Sequence, residues 1–263
     1  MTTIREIRVE IYLIVGLILS ALIGISLGLI GGGGSIIIIP VLVYILGVEA
    51  HHAVDMSLTI VGVTSLIGAA LHNQRGTVKL KTGVFFSATG TLSAYFGSRL
   101  TCLLSPAALL LSIAALMIVI AVLMLIKRHD NRDVIIHHGR SKFKALLAGL
   151  IVGLLTGILG IGGGFLVVPA LVLFCDISMK DAVGTSLLIV AIDCCAGLLG
   201  HLRYGGFDLR VTMFVTMVAI DGMLIGATLS HHVSPANLKK WFAVFVIVVA
   251  VFFIAKNYTV HLG

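Results

Sequence analysis

Apolar residues run almost without interruption from Ile11 to Val48, and the first charge after that run is Glu49. Comparable stretches follow at 56–72, 82–104 and 106–126, and again at 145–175, 185–201, 211–231 and 237–255. Short polar segments part them and hold most of the charge. About 20 apolar residues suffice for a helix to cross a bilayer, and in lipid a helix satisfies its own backbone. The pattern predicts an all-α polytopic membrane protein with about eight transmembrane helices. The first run does not fit one straight helix, since residues 11–46 would reach about 54 Å against a hydrocarbon core of about 30 Å. Its break is GGGGSIIIIP, Gly31 to Pro40. Each of those glycines disfavours a helix by roughly 1 kcal/mol relative to Ala, and unwound backbone at that depth must be buried in protein or line a cavity.

The break is written twice. An offset of 129 residues brings Gly24, Gly28, Gly31 and Pro40 onto Gly153, Gly157, Gly160 and Pro169 without a gap. The register continues through Ala53-Val54 with Ala182-Val183, Ser57-Leu58 with Ser186-Leu187, His72 with His201, and Ser105-Pro106-Ala107 with Ser234-Pro235-Ala236. The expected organisation is two homologous four-span repeats, each opening on a glycine-broken element. Residues 1–126 form the first, 127–144 a basic cytoplasmic linker, and 145–263 the second. Internal duplication of this kind marks secondary transporter folds.

Composition narrows the class. The chain is 59% hydrophobic and 11% charged, where a soluble domain carries about 25% charged residues. The net charge of +7 gathers in short segments beside the spans, which is the positive-inside pattern and not a nucleic-acid surface. Starting inside with Arg5 and Arg8, the scheme places 47–55 outside, Arg75 to Lys81 inside, the linker inside, Lys180 outside, and Arg203, Arg210 and Lys256 inside. The termini are then cytoplasmic and the repeats parallel. Lys239 and Lys240 fall on the wrong side, and re-entry of the first element would change the parity. The first run is read as a retained span of an inner-membrane protein, not a cleaved signal. Cys102, Cys175, Cys194 and Cys195 show neither a disulfide framework nor zinc spacing.

Candidate chemistry starts at the glycines. Proline suits a helix's first turn, so each break reads as a helix, an unwound segment and a half-helix started by Pro40 or Pro169. Glycine admits close backbone approach, and a free helix N-terminus binds small anions. Gly31, Gly32, Gly33, Gly34 and Ser35, with Gly160, Gly162, Gly163 and Gly164, form the expected substrate site between the halves. The alternative is close helix packing, which is the reading for Gly24, Gly28, Gly153 and Gly157.

The tract Gly160-Ile-Gly-Gly-Gly-Phe-Leu-Val-Val-Pro-Ala-Leu, followed by Ala182-Val-Gly-Thr-Ser-Leu187, resembles the TauE/SafE family of sulfite-exporter-like membrane proteins. The likeness extends over nearly the whole chain, although the first half reads GGGGS, and Met56-Ser57-Leu58 in place of TSL. It implies transport of a small sulfur-containing or organic anion such as sulfite, sulfoacetate or thiosulfate. Which anion, and in which direction, stays open.

Ser57, Thr185 and Ser186 open the second span of each half, where hydroxyls cap a helix or donate to an oxyanion. Asp193 and Asp221 fall mid-span. A carboxylate at the bilayer centre costs about 2.5–3.5 kcal/mol on insertion scales, so both are proton-coupling candidates, with a structural hydrogen bond as the alternative. His72 with Arg75, His201 with Arg203, and Arg99 are vestibule candidates, or interfacial anchors. The His doublets lack carboxylate or cysteine partners at ligand spacing, so no metal is expected, and no cofactor. GGGGS lacks a P-loop lysine, and no Ser–His dyad occupies the spans, so no enzyme is expected. The partners are the anion and the lipid bilayer. A cation or metal permease and a non-transporting scaffold are the alternatives; the oligomeric state is open.

Overall fold

The computed structural model describes residues 2–100, 106–126, 138–159, 164–201 and 208–261. These form ten α-helices: α1 (Thr2–Ile30), α2 (Ser35–Tyr44), α3 (Ala50–Gln74), α4 (Leu80–Leu100), α5 (Pro106–Ile126), α6 (His138–Leu159), α7 (Gly164–Leu173), α8 (Met179–His201), α9 (Leu209–His232) and α10 (Pro235–His261). No strand occurs among the described residues. His52–Gln74, Met179–Leu199 and Leu209–Ser230 are long and apolar enough to cross a membrane by length and composition. Large side chains such as Leu92, Phe96, Val119, Phe214, Met217 and Val248 point outward from the bundle, as a lipid-facing surface requires. The helix starts follow local chemistry. Asp208 Oδ1 accepts from the N–H groups of Arg210 and Val211 ahead of α9. Ser234 Oγ accepts from Asn237 N–H at the start of α10, with Pro235 in the first helical position, where its missing N–H costs nothing.

Each glycine break is followed by a short helix. At 10 residues apiece, α2 and α7 reach about 15 Å, half of what a crossing needs. α2 turns back along α1: Gly34 packs on Ile23 and Leu27, and Gly16 lies against Leu46. Lys144 near the start of α6 is paired with Asp176 just beyond α7, so α7 likewise returns toward the side from which α6 began.

That return overturns the parallel arrangement of the halves. Gly62 faces Cys194, Gly197 faces Leu58, and Gly68 faces Leu187. Helices α3 and α8, which occupy equivalent positions under the 129-residue offset, therefore run antiparallel. Lys79, just after α3, pairs with Asp181 in the first turn of α8 at 3.3 Å. The segment holding Lys180, expected on the face opposite Arg75 to Lys81, shares a face with it. A break that crosses adds a span and keeps the direction of the next helix. A break that turns back does not, and hydropathy alone cannot tell the two apart.

Helix contacts rest on small residues, because lipid supplies no hydrophobic drive between helices. A Cβ on Gly24 would overlap the Ala219 carbonyl of α9, and one on Gly28 the Met223 carbonyl, so α1 and α9 advance side by side in one direction. Gly149 and Gly153 of α6 meet Phe86 and Gly90 of α4 in the same way. The offset carries the pair Gly24–Ala219 onto Gly153–Gly90. The packing reading of Gly24, Gly28 and Gly153 is what the contacts bear out.

Candidate functional site

The two breaks meet. Gly31 adopts φ 83°, a left-handed conformation that glycine enters without a steric cost, and this turns the chain out of α1 into a single 3-10 turn at Gly32–Gly34. Gly32 then packs on Gly164, the first residue of α7. A Cβ added to Gly164 would stand 2.6 Å from both the Gly32 carbonyl oxygen and Ser35 Oγ. Only residues without a side chain let two backbones approach so closely.

Polar groups gather at this crossing. The Gly32 N–H points to Ser186 Oγ at 3.4 Å, and Ser186 donates onward to the Val183 carbonyl at 2.8 Å. Ser35 Oγ donates to the Gly32 carbonyl at 2.7 Å. Thr185, fully buried, turns away from the crossing to the α3–α4 connection, where it accepts from the Lys79 N–H at 3.0 Å. Ser57 bonds within its own helix, donating to the Val54 carbonyl. Ser57 and Ser186 each sit two turns inside their helices, since α3 begins at Ala50 and α8 at Met179, so neither caps a helix start. The prolines also differ from expectation. Pro40 and Pro169 lie in the interiors of α2 and α7. Proline there has no N–H for the carbonyl one turn back, which leaves the carbonyls of Ile36 and Phe165 without that intrahelical donor.

A small, water-sized cleft opens between the end of α3 and the start of α8, lined by His72, Arg75, Thr77, Lys180, Val183, Ser230 and Leu238. His72 is buried at 4% exposure, its Nδ1 3.0 Å from Thr77 Oγ1. The Arg75 guanidinium and Ser230 Oγ both donate to the Ala227 carbonyl, at 2.8 and 2.9 Å. Two permanent cations and a histidine thus line one small space, with no carboxylate among its described lining residues. Val183 belongs to the wall, and Ser186 lies one helical turn further in.

The structure separates the two mid-span acids. Asp193 on α8 is half-buried and accepts from Thr91 Oγ1 of α4 at 2.9 Å. Asp221 sits on the outer surface of α9, flanked by exposed Met217 and Ile225. Gly160, Gly162, Gly163 and Arg203 lie outside the described residues. Arg99 and His201 fall in the last turns of α4 and α8, and Gly33 in the 3-10 turn. Among the described residues no group of three His, Cys, Asp or Glu is placed to hold a metal ion. Sequence reasoning missed Lys180, Thr77, Ser230 and Thr91, and also Asp55, a buried carboxylate one turn into α3. The charge of Lys180 was visible, but its place beside Arg75 follows only from the reversal of α8.

An apolar bundle, all-helical among the described residues, with helices long enough to cross a membrane, is the build of an integral membrane protein. Its family is shown by comparison: the sulfite exporter TauE/SafE family matches residues 16–253, and the chain belongs to it. A probable membrane transporter protein of Xylella fastidiosa (strain Temecula1) is 33% identical over 248 residues, covering 90% of this chain and 93% of that protein. YdhB of Bacillus subtilis, also a probable membrane transporter protein, is 27% identical, with 83% and 91% covered. A probable membrane transporter protein of Methanocaldococcus jannaschii is 23% identical, with 85% and 88% covered. No solved structure matches the chain at a significant level.

Proposed function

We propose that the chain is a secondary transporter, not an enzyme, and that it moves a small anion such as sulfite, thiosulfate or sulfoacetate across the inner membrane. The observation that carries this reading is the cation-lined mouth set one helical turn from the Gly32 N–H and the Ser186 hydroxyl. Arg75 and Lys180 draw the anion in. The Gly32 N–H and the hydroxyls of Ser35 and Ser186 then exchange their internal hydrogen bonds for bonds to the anion, and Gly31, Gly32 and Gly164 give the close approach. The architecture in this reading is two inverted repeats, each with one re-entrant hairpin (α1–α2 or α6–α7) and three full spans. Inverted repeats with broken helices at their interface are a recurrent transporter plan.

Orientation follows from the same plan. Arg75, Lys79, Lys81, Lys144, Lys180, Lys239 and Lys240 share one face, which the positive-inside rule makes cytoplasmic. Lys239 and Lys240 cease to be exceptions. The start of α1 and the end of α10 then lie on the outer side, the reverse of the cytoplasmic termini expected from charge alone. Asp193, joined to Thr91 between α8 and α4, is the proton-coupling residue in this reading, and Asp221 is not.

A cation permease fits poorly, because Arg75 and Lys180 repel a cation at the mouth. Flux into vesicles holding the purified protein decides among the readings. Sulfite, thiosulfate and sulfoacetate are offered beside manganese and nickel, each with and without a pH gradient. Saturable anion flux supports the proposal, metal flux establishes the permease, and no flux of any kind leaves a scaffold.

A further inference from the structure

We infer that the seam between α4 and α8 is a proton path to Asp193, and that Ser87 relays the proton across its middle. This rests on the reading of Asp193 as the proton-coupling residue and adds to it a route, a relay and the face from which the proton comes.

The seam keeps one register along its length. Lys79, Gly83, Ser87 and Thr91 recur every four residues, so they share one face of α4 and of the residue that leads into it. The Gly83 N–H donates to the Lys79 carbonyl at 2.9 Å, which brings Lys79 into the helical pattern. Three of the four meet α8. Lys79 pairs with Asp181 at 3.3 Å. A Cβ on Gly83 would stand 3.0 Å from Leu188 Cδ2 and 3.5 Å from Thr185 Cγ2. Thr91 Oγ1 donates to Asp193 Oδ1 at 2.9 Å. Ser87 lies between these contacts on the same face. Its side chain is buried at 2% exposure, and its Oγ has no hydrogen-bond partner among the described residues. A buried hydroxyl left unpaired costs about 1–3 kcal/mol, and a bound water is what satisfies such groups. Rungs four residues apart are separated by about 6 Å, which one water spans with two hydrogen bonds of about 2.8 Å.

An acid stands at each end. Asp181 is at the rim, in the first turn of α8, and Asp193 lies about 18 Å further along the same helix. The polar side chains between them are hydroxyls. Thr185 Oγ1 accepts from the Lys79 N–H at 3.0 Å and keeps its own hydrogen to give; Ser87 and Thr91 follow. Each hydroxyl or water accepts one proton and releases its own, so one proton enters from the α3–α4 side and one arrives at the Asp193 carboxylate. Residues 13–30, 56–71, 82–94, 164–173 and 241–255, from the helices packed around α8, hold no ionisable side chain. The ionisable groups beside Asp193 are Cys194, which turns to Gly62 of α3, Cys195, and Tyr95 one turn past Thr91. The equivalent seam, α9 against α3, is built differently. Under the 129-residue offset Thr91 corresponds to Ile220, Thr185 to Met56, Asp193 to Thr64 and Ser87 to Thr216, and Thr216 donates to the Thr212 carbonyl of its own helix. That copy has neither the acid nor the open relay.

The test times the protonation of Asp193. Its carboxylic C=O band in infrared difference spectra of the purified protein, assigned by loss in Asp193→Asn, is followed after a pH jump in wild type and Ser87→Ala. Ser87→Ala is expected to slow the change about tenfold or more, with the titration midpoint little changed. The thermal unfolding midpoint should not drop, because the hydroxyl removed has no partner in the protein. Ser87→Thr should restore most of the rate, and Thr216→Ala, in the equivalent seam, should leave it as in wild type. In vesicles, thiosulfate flux driven by a pH gradient should fall by a similar factor in Ser87→Ala, while thiosulfate exchange at equal pH, which needs no net proton movement, should be kept. Equal protonation rates in wild type and Ser87→Ala, or equal slowing in Thr216→Ala, overturn the inference, and pH-driven flux then still upholds the transport reading. A lower unfolding midpoint in Ser87→Ala with no recovery in Ser87→Thr makes Ser87 a structural residue and overturns its role as relay. A Ser87-dependent rate without wild-type flux overturns the transport reading and leaves the proton path. Spectra in which Asp193→Asn removes no band show that Asp193 takes up no proton and overturn the inference itself.

Discussion

At the crossing of the hairpins, Gly31, Gly32 and Gly164 bring no side chains, and the polar groups are the Gly32 N–H and the hydroxyls of Ser35 and Ser186, each donating within the protein. One helical turn away, the mouth holds Arg75, Lys180 and His72. The two regions solve different physical problems. Deep in the bundle a permanent charge is costly to desolvate, and a buried cation would hold an anion too firmly to release it. Fixed neutral donors replace part of the hydration shell without that penalty. At the interface charge costs less and acts at longer range, raising the local anion concentration. In the proposed reading charge serves capture and neutral polar groups serve passage.

The largest way to break this comparison is Gly31→Val. The backbone at φ 83° is strained for a β-branched residue, and the new Cβ would overlap Ser186 Oγ. Flux is expected to fall more than 100-fold, with a drop in the thermal unfolding midpoint measured on the purified protein. Wild-type flux in this variant would show that the crossing does not need its close approach. Next comes the contrast between the two acids. Asp193→Asn, which keeps a partner for Thr91, is expected to remove the pH dependence of flux. Asp221→Asn should keep that dependence and, being on the outer surface, should alter the rate less than twofold. Equal pH profiles for both variants would refute the coupling role. Ser186→Ala should raise the half-saturating sulfite concentration by a factor of about three to ten, the range of a single neutral hydrogen bond, from both faces alike. A one-sided effect would move Ser186 from the passage to the mouth.

The smallest effect concerns Cys175, in the connection after α7. Burial, opposed by Lys144 and reinforced by Asp176, pushes its thiol up to about 11. Since the thiolate is the reactive species, maleimide labelling followed by mass spectrometry at pH 7 should be slow at Cys175 and quicken as pH rises towards 11. Fast labelling at pH 7 would mean that this connection opens readily.

The sequence by itself determined the class, the breaks and their repetition. Hydropathy reports which segments lipid can accommodate, four glycines in such a segment cannot remain plain helix, and prolines, histidines and glycines in register across 129 residues do not arise from apolar composition. The motif around Gly160 to Ser186 also carried the family. Tertiary structure alone decided direction. Apolar pattern reads the same whether a chain crosses or turns back, and the choice lay with the left-handed Gly31 and with half-helices too short to span. From that one reversal follow the antiparallel α3 and α8 and the seating of Lys180 beside Arg75. The two acids show the same limit in another form. Asp193 and Asp221 have similar depth and similar apolar neighbours in sequence, and only the packing of α8 on α4 placed one against Thr91 and left the other on the outer surface. A residue's depth is set by its own segment, whereas what it faces is set by a neighbouring helix far away in the chain.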